Sequence, residues 1–264
     1  MDIRTLALAA LRVNDPATKA AQARDLHLAA RSGASLDAGL VIERPAGLPG
    51  RPERPSLVST LQVPKRSPFT RDGRAALLHA IAHIEFNAIN LALDACWRFA
   101  GMPAEFYLDW LQVASEEALH FTLLHEHLQS LGFQYGNFDA HDGLWTMAER
   151  TAGDVLARMA LVPRTLEARG LDATPPLQAK LARAGDARAV EILDVILRDE
   201  IGHVRIGNRW YRHLCLERGL DPIALYPALV ERYEAPRLRP PFNTAARELA
   251  GFSAEELAYL AGQA

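Results

Sequence analysis

Apolar residues recur at offsets of three and four along most of this chain, and alternating apolar and polar runs closed by Asn-Gly or Asp-Gly turns are scarce, so the pattern predicts helices rather than strands. Residues 2–33 read as one or two helices interrupted at Asn14-Asp15-Pro16. Residues 41–70 carry prolines too densely for a helix and read as an extended arm, either wrapping the domain or disordered. A first long helix follows Asp72-Gly73 and runs to about Phe99, and a second spans about Ala104 to Leu131 and stops at Gly132. Residues 132–143 (GFQYGNFDAHDG) form a polar connection, after which a third helix is expected from Leu144 to Arg169, ended by Gly170. A loop containing Thr-Pro-Pro then leads to a fourth helix over about Asp186–Arg218, with Gly219 and Asp221-Pro222 as stop signals. Four helices of about 26 residues or more in two pairs predict an all-α fold built on a four-helix bundle. The expected organisation is therefore N-terminal helices and a proline-rich arm (1–70), the bundle (71–220), and a C-terminal extension of short helices packed on it (221–264).

The chemistry emerges from the helix faces. The second helix contains Glu117 and His120, the fourth Glu200 and His203, and residues three apart share one face, so each pair can grip one metal ion. With 17 glutamates and 9 histidines in 264 residues, roughly 0.6 such pairs arise by chance, so the pairs alone carry little. The register carries more. Glu85 precedes Glu117 by 32 residues and Glu167 precedes Glu200 by 33, so the first pair of helices is repeated by the second. Glu85 lies among Ile81, Ile84, Ala88 and Ala92, and Glu117 and Glu200 likewise project from apolar faces, where an uncompensated carboxylate is severely destabilising. Four carboxylates and two imidazoles converging in a bundle core are economically explained by two divalent cations, with iron, manganese or zinc suited to oxygen and nitrogen donors.

Glu167 follows Pro163 by four residues and requires a kinked last turn to be aimed. Its rival Glu149 lies about 27 Å away along a helix and cannot share the site. Glu116 and Asp199, each next to a ligand pair, either orient a histidine ligand or are simple surface carboxylates. His79 and His83 fall about 240° and 200° around the helix from Glu85, which points to surface or interface roles. Trp97, Tyr107, Trp110, Tyr135, Trp145 and Trp210 read as core.

Composition narrows the classes further. With 29 basic and 32 acidic side chains, the net charge of −3 provides no bulk field for phosphate backbones, and Arg232, Arg237 and Arg239 with Tyr233 make only a small basic cluster. Cys96 and Cys215 stand far apart without a CxxC partner, arguing against a disulfide framework or thiolate site. The six-residue apolar run near the start is short for a signal peptide, and no stretch reaches the roughly 20 apolar residues of a membrane span. A reduced, cytoplasmic protein without membrane contact is expected.

These residues resemble the ferritin-like, or rubrerythrin-like, di-iron carboxylate superfamily, with one Glu from each of two helices and ExxH from each of the others. Within it, PGRPERP, HAIAHIEFNAINLALD, EEALHF, YGNFDAHDGLW, EARGLD and DEIGHV are similar to a bacterial ferritin-like family of unknown function, over about residue 48 to Phe252. The resemblance implies Glu85, Glu117, His120, Glu167, Glu200 and His203 as ligands, with Glu117 and Glu200 bridging two metals. It implies a di-iron oxidoreductase that activates oxygen or peroxide and oxidises an organic substrate, of hydroxylase or peroxidase type, supplied by an electron donor. A ferroxidase or iron store and a non-enzymatic helical binding protein are the alternatives. A tRNA-modifying hydroxylase in the wider superfamily raises nucleic acid as a substrate, and the arm offers a strap for a homodimer.

Overall fold

The computed structural model describes residues 2–262; position 1 and positions 263–264 of the first and last expected segments lie outside them. The described residues are all-α. They form no strand, only an isolated bridge between Leu57 and Ala140. The helices are α1 (Ile3–Leu11), α2 (Pro16–Arg31), α3 (Arg71–Arg98), α4 (Ala104–Ser130), α5 (Gly143–Arg150), α6 (Val155–Leu161), α7 (Ala168–Arg183), α8 (Ala187–Glu217), α9 (Pro222–Arg232), α10 (Thr244–Leu249) and α11 (Ala254–Ala261). A π-turn, Val162–Glu167, joins α6 to α7.

Local chemistry sets most of the boundaries. Side-chain oxygens of Asp2, Asp15, Thr70, Asp154, Asp186, Asp221, Asn243 and Ser253 accept from backbone N–H groups at the starts of α1, α2, α3, α6, α8, α9, α10 and α11, satisfying donors that a helix cannot pair itself. Gly132 closes α4 in the left-handed region, at φ 80°, which a side chain would disfavour.

The chain divides into two compact units, residues 2–145 and 146–262 of those described. In the first, α3 and α4 pack along one another, α1 lies on α3 and α2 on α4. Of the described helices, α3 has the length and mean hydropathy, 1.3, of a membrane span; 78% of that stretch is buried within the protein, which a core helix also requires. Residues 41–70 contain no helix. They are held in place: the Gly50 N–H donates to Leu11 O at 2.9 Å, and Val58 N–H and Ala140 N–H donate to Ala140 O and Ser56 O. Lys19 reaches from α2 to donate to Gly50 O (2.7 Å) and Asn90 Oδ1 (2.5 Å), and burial, helped by the charge of Arg51, pushes its amine down to about 7.

The second unit departs from the expected third helix. Instead of one helix to Gly170, the chain breaks after α5, restarts at Asp154, widens into the π-turn and continues as α7 through Gly170 and through Pro175 and Pro176. The break is filled by Arg158, which is fully buried and donates to Thr151 Oγ1 (2.8 Å) and to the Ala148 carbonyl of α5. The prolines survive because the carbonyl that Pro175 leaves without its helical N–H, Leu171 O, accepts from Asn243 Nδ2 at 3.1 Å, while the Thr174 hydroxyl donates to Gly170 O. Expecting a loop at Thr-Pro-Pro was wrong for that reason: the missing donor comes from a residue 72 positions away.

Candidate metal centre

Glu85 from α3 and Glu117 and His120 from α4 form a buried cluster in the first unit, with one potential ligand atom from each lying within 4.8 Å of the others. His120 Nδ1 is 3.1 Å from Glu85 Oε2 and 3.4 Å from Glu117 Oε2. Glu117 and His120 have no exposed surface and Glu85 has 3%. Two carboxylates at this depth repel one another and have lost their water. Burial first, and the neighbouring Glu117 charge second, push the Glu85 carboxyl well above its usual range against the pull of His120. A divalent cation is the neutralising partner such a donor set suits. Its carboxylate and imidazole ligands fit iron, manganese or zinc, and the cysteines take no part: Cys96 donates weakly to Tyr107 O, and burial raises its thiol far above the usual range.

In the second unit α8 carries Glu200 and His203 three residues apart, their Oε2 and Nδ1 atoms 3.9 Å from each other. Both are buried, as is Glu167 at the end of the π-turn. The kink expected at Pro163 is this π-turn, a local widening of the helix that recurs at functional sites. Pro163 rests on α8 at Gly207, where a Cβ would come 2.5 Å from the proline Cβ. Gly207 lies one turn beyond His203 and two beyond Glu200, so the face of α8 that presents the ExxH pair also seats the segment ending in Glu167. Gly170 of α7, one turn beyond Glu167, faces the Glu200 carboxyl, whose carbon lies 4.0 Å from where a Cβ would sit.

Of the flanking acids, Glu116 accepts from Gln112 Nε2 at 2.9 Å, and Asp199 accepts from the neighbouring Arg198 guanidinium at 2.8 and 3.1 Å. His79 and His83 are buried rather than on the surface, and they fasten the connection after α4. Gly136 N–H donates to His79 Nε2 at 2.9 Å, Tyr135 stacks on the His79 ring at 5.2 Å, and the Tyr135 hydroxyl meets His83 Nδ1 at 2.8 Å. Trp97, Tyr107, Trp110, Trp145 and Trp210 are core and Tyr135 is half-buried. The sequence pattern gives no cue to Arg164 or Glu256, which flank the second set; the only trace is one cation in the apolar run ALVPRTLEA.

Burial pushes the His79 imidazole down to about 4. The unfolded chain takes up that proton near pH 6.5 and the folded chain only near 4, so the stabilisation from a neutral His79 is complete above about 6.5 and is lost as pH falls towards 4. The expected loss is on the order of 3 kcal/mol. Thermal melts at several pH values check it: the wild type should lose stability steeply over this range and His79→Phe less so, and parallel profiles overturn the assignment.

A family described as "Protein of unknown function (DUF455)" matches residues 12–258. A Haemophilus influenzae protein, described as an uncharacterized protein, is 56% identical over 216 residues, which cover 79% of this chain and 75% of the relative. No solved structure matches.

Proposed function

The chain belongs to the DUF455 family of proteins of unknown function, and on that premise we propose that it is a di-metal, di-iron carboxylate oxidoreductase of the ferritin-like four-helix-bundle type. The observation that carries the reading is the buried Glu85–Glu117–His120 cluster, whose two carboxylates share a dry core with an imidazole, a donor set that a cation would neutralise. The sequence repeat extends it: Glu167, Glu200 and His203 stand in the second helix pair as Glu85, Glu117 and His120 do in the first, and the two triads together hold two ions.

Glu85, Glu117, His120, Glu167, Glu200 and His203 would hold two ferrous ions, which would supply electrons for reducing oxygen or peroxide coupled to oxidation of an organic substrate, with a separate donor restoring the reduced state. The chain's own residues set the conditions for that chemistry. The carboxylates balance the charge of the cations, and His120 and His203 supply neutral nitrogen donors. The apolar neighbours, Phe86 and Phe121 beside the first triad and Val204 beside the second, exclude bulk water.

Anaerobic loading of the apo protein with ferrous iron, a metal count, and admission of oxygen with uptake recorded test the proposal. Two irons per chain and oxygen consumption proportional to iron are expected. Binding of zinc alone without oxygen consumption, or uptake of many irons per chain into a large hollow oligomer, overturns it, the latter in favour of storage.

A further inference from the structure

We infer that Arg164 and Glu256 are positioning residues for Glu167, so that the C-terminal helices α9–α11 act as a clamp on the metal affinity of the second triad. The inference rests on Glu167 being a ligand, as proposed above, and adds that the packing of Arg164 and Glu256 decides whether it can be one.

A π-turn is a poor resting state for a backbone. Pro163 has no N–H to give, and the widened ring leaves carbonyls without their usual donors, so the turn persists only where its surroundings hold it. Here they do so at each step. Thr165 donates its hydroxyl proton to Ala160 O at 2.7 Å, the carbonyl five residues back, and its oxygen lies 2.7 Å from the Tyr226 hydroxyl of α9. Arg164 is buried and spreads its guanidinium between two partners, donating to Asn208 Oδ1 on α8 at 2.5 Å and to Glu256 Oε1 on α11 at 2.9 Å. Its charge sits over the rings of Tyr211, Tyr226 and Phe252, at 5.1, 5.4 and 4.7 Å, which suit a desolvated cation.

Glu256 is fixed in turn. Its second oxygen accepts from Arg212 Nη2 at 2.6 Å and from the Ser253 N–H at 2.7 Å, as the N3 member of a capping box that starts α11. On the far side of Glu167, Arg247 donates to Ala168 O at 3.3 Å and pairs with Asp172 at 2.6 Å. Glu167 is therefore bracketed: Arg164 and Thr165 before it and Ala168 after it are each bonded to residues of α9, α10 or α11. A small cavity lined by Arg164, Tyr226, Phe252, Glu256 and Tyr259 lies beside the guanidinium, about 10 Å³, too tight for a ligand. The rings and acceptors around the Arg164 guanidinium hold a side chain of the protein itself and brace the turn.

Titration of the full-length apo protein with cobalt(II), read by its ligand-field absorption and by competition with a chelator, tests the clamp. Wild type should bind two ions. Arg164→Lys, which loses the planar fork, and Glu256→Gln, which keeps its shape, should each weaken one of the two sites 10- to 100-fold and alter its absorption, leaving the other site unchanged. Glu256→Asp should recover part of the loss. Glu167→Ala serves as the control: if it leaves both cobalt sites intact, the ligand reading itself is wrong. If Glu167→Ala weakens a site while Arg164→Lys and Glu256→Gln bind as wild type, the clamp is wrong and the ligand reading stands. Should either clamp variant lose helix content, Tyr226→Phe, which removes only the hydroxyl at Thr165, becomes the deciding variant, and wild-type cobalt affinity and absorption in it overturn the inference.

Discussion

Arg4→Ala is expected to lower the unfolding free energy of the first unit by about 2–6 kcal/mol, the cost of leaving two buried helix-end carbonyls without a donor at about 1–3 kcal/mol each. Arg4 is 1% exposed, although it is the second residue of α1, in the helix's first turn. Its guanidinium donates to five carbonyls: Cys96 O and Trp97 O in the last turn of α3, at 3.1 and 2.9 Å, and Asp37 O, Ala38 O and Leu40 O of the following strip, at 3.0, 3.2 and 2.5 Å. The ring of Tyr107 lies beneath it at 5.1 Å. An α-helix leaves its final carbonyls without N–H partners, and here one side chain satisfies two of them while tying three loop carbonyls to the same point. Alanine would strand the buried Cys96 and Trp97 carbonyls, whereas Ala38 O keeps the Gly101 N–H at 2.7 Å and Asp37 O the Leu40 N–H at 3.3 Å. Lysine has a charge but no fork and should recover only part of the loss. Thermal or urea unfolding checks the prediction; a drop on the order of 10 °C is expected for Arg4→Ala, and a melting temperature within a couple of degrees of wild type overturns the capping role.

Arg4 also shows where sequence reasoning stops. Helix ends were legible because their chemistry is local: Asp15-Pro16, Gly132 and Asp221-Pro222 act on backbone within three residues. The grouping of Glu117 with His120 was legible for the same reason, and that of Glu85 with them followed from the apolar stripe around it. The course of 144–186 was not. Gly170 and Thr-Pro-Pro are ordinary stop signals, and what overrides them is an asparagine side chain from the distant Asn243, which no local pattern discloses. The buried cations fall under the same limit. Lys19, Arg158 and Arg164 look like surface residues until their partners are known; those of Lys19 and Arg164 are distant in sequence, and those of Arg158 lie across the break between α5 and α6. The π-turn was legible only as a kink at Pro163, because its geometry depends on Gly207 and on the helices that follow.

Glu117→Gln is expected to uncouple stability from metal binding, moving the two in opposite directions. In the apo protein Glu117 and Glu85 are buried carboxylates near one imidazole, and the displaced Glu85 carboxyl records their mutual repulsion and lost hydration. Replacing one by a neutral isostere removes part of that cost, so the apo variant should be more stable than wild type by about 1–3 kcal/mol. Metal binding should suffer in the same step, since an amide oxygen is a weaker ligand than a carboxylate and no longer compensates the cation's charge. At a metal concentration a thousandfold above its dissociation constant, wild type gains about 4 kcal/mol from mass action, and the variant should gain little. Melting curves with and without cobalt(II), oxygen excluded, would therefore cross: the variant melts higher than wild type when both are apo and lower when both are loaded. A purely structural role for Glu117 predicts the reverse in the apo state, because a carboxylate kept for packing and hydrogen bonding is weakened by the change while any metal response is left intact. A residue that lowers the stability of the empty fold and raises that of the loaded one is what a ligand must be, and the crossing reports that property without reference to any substrate.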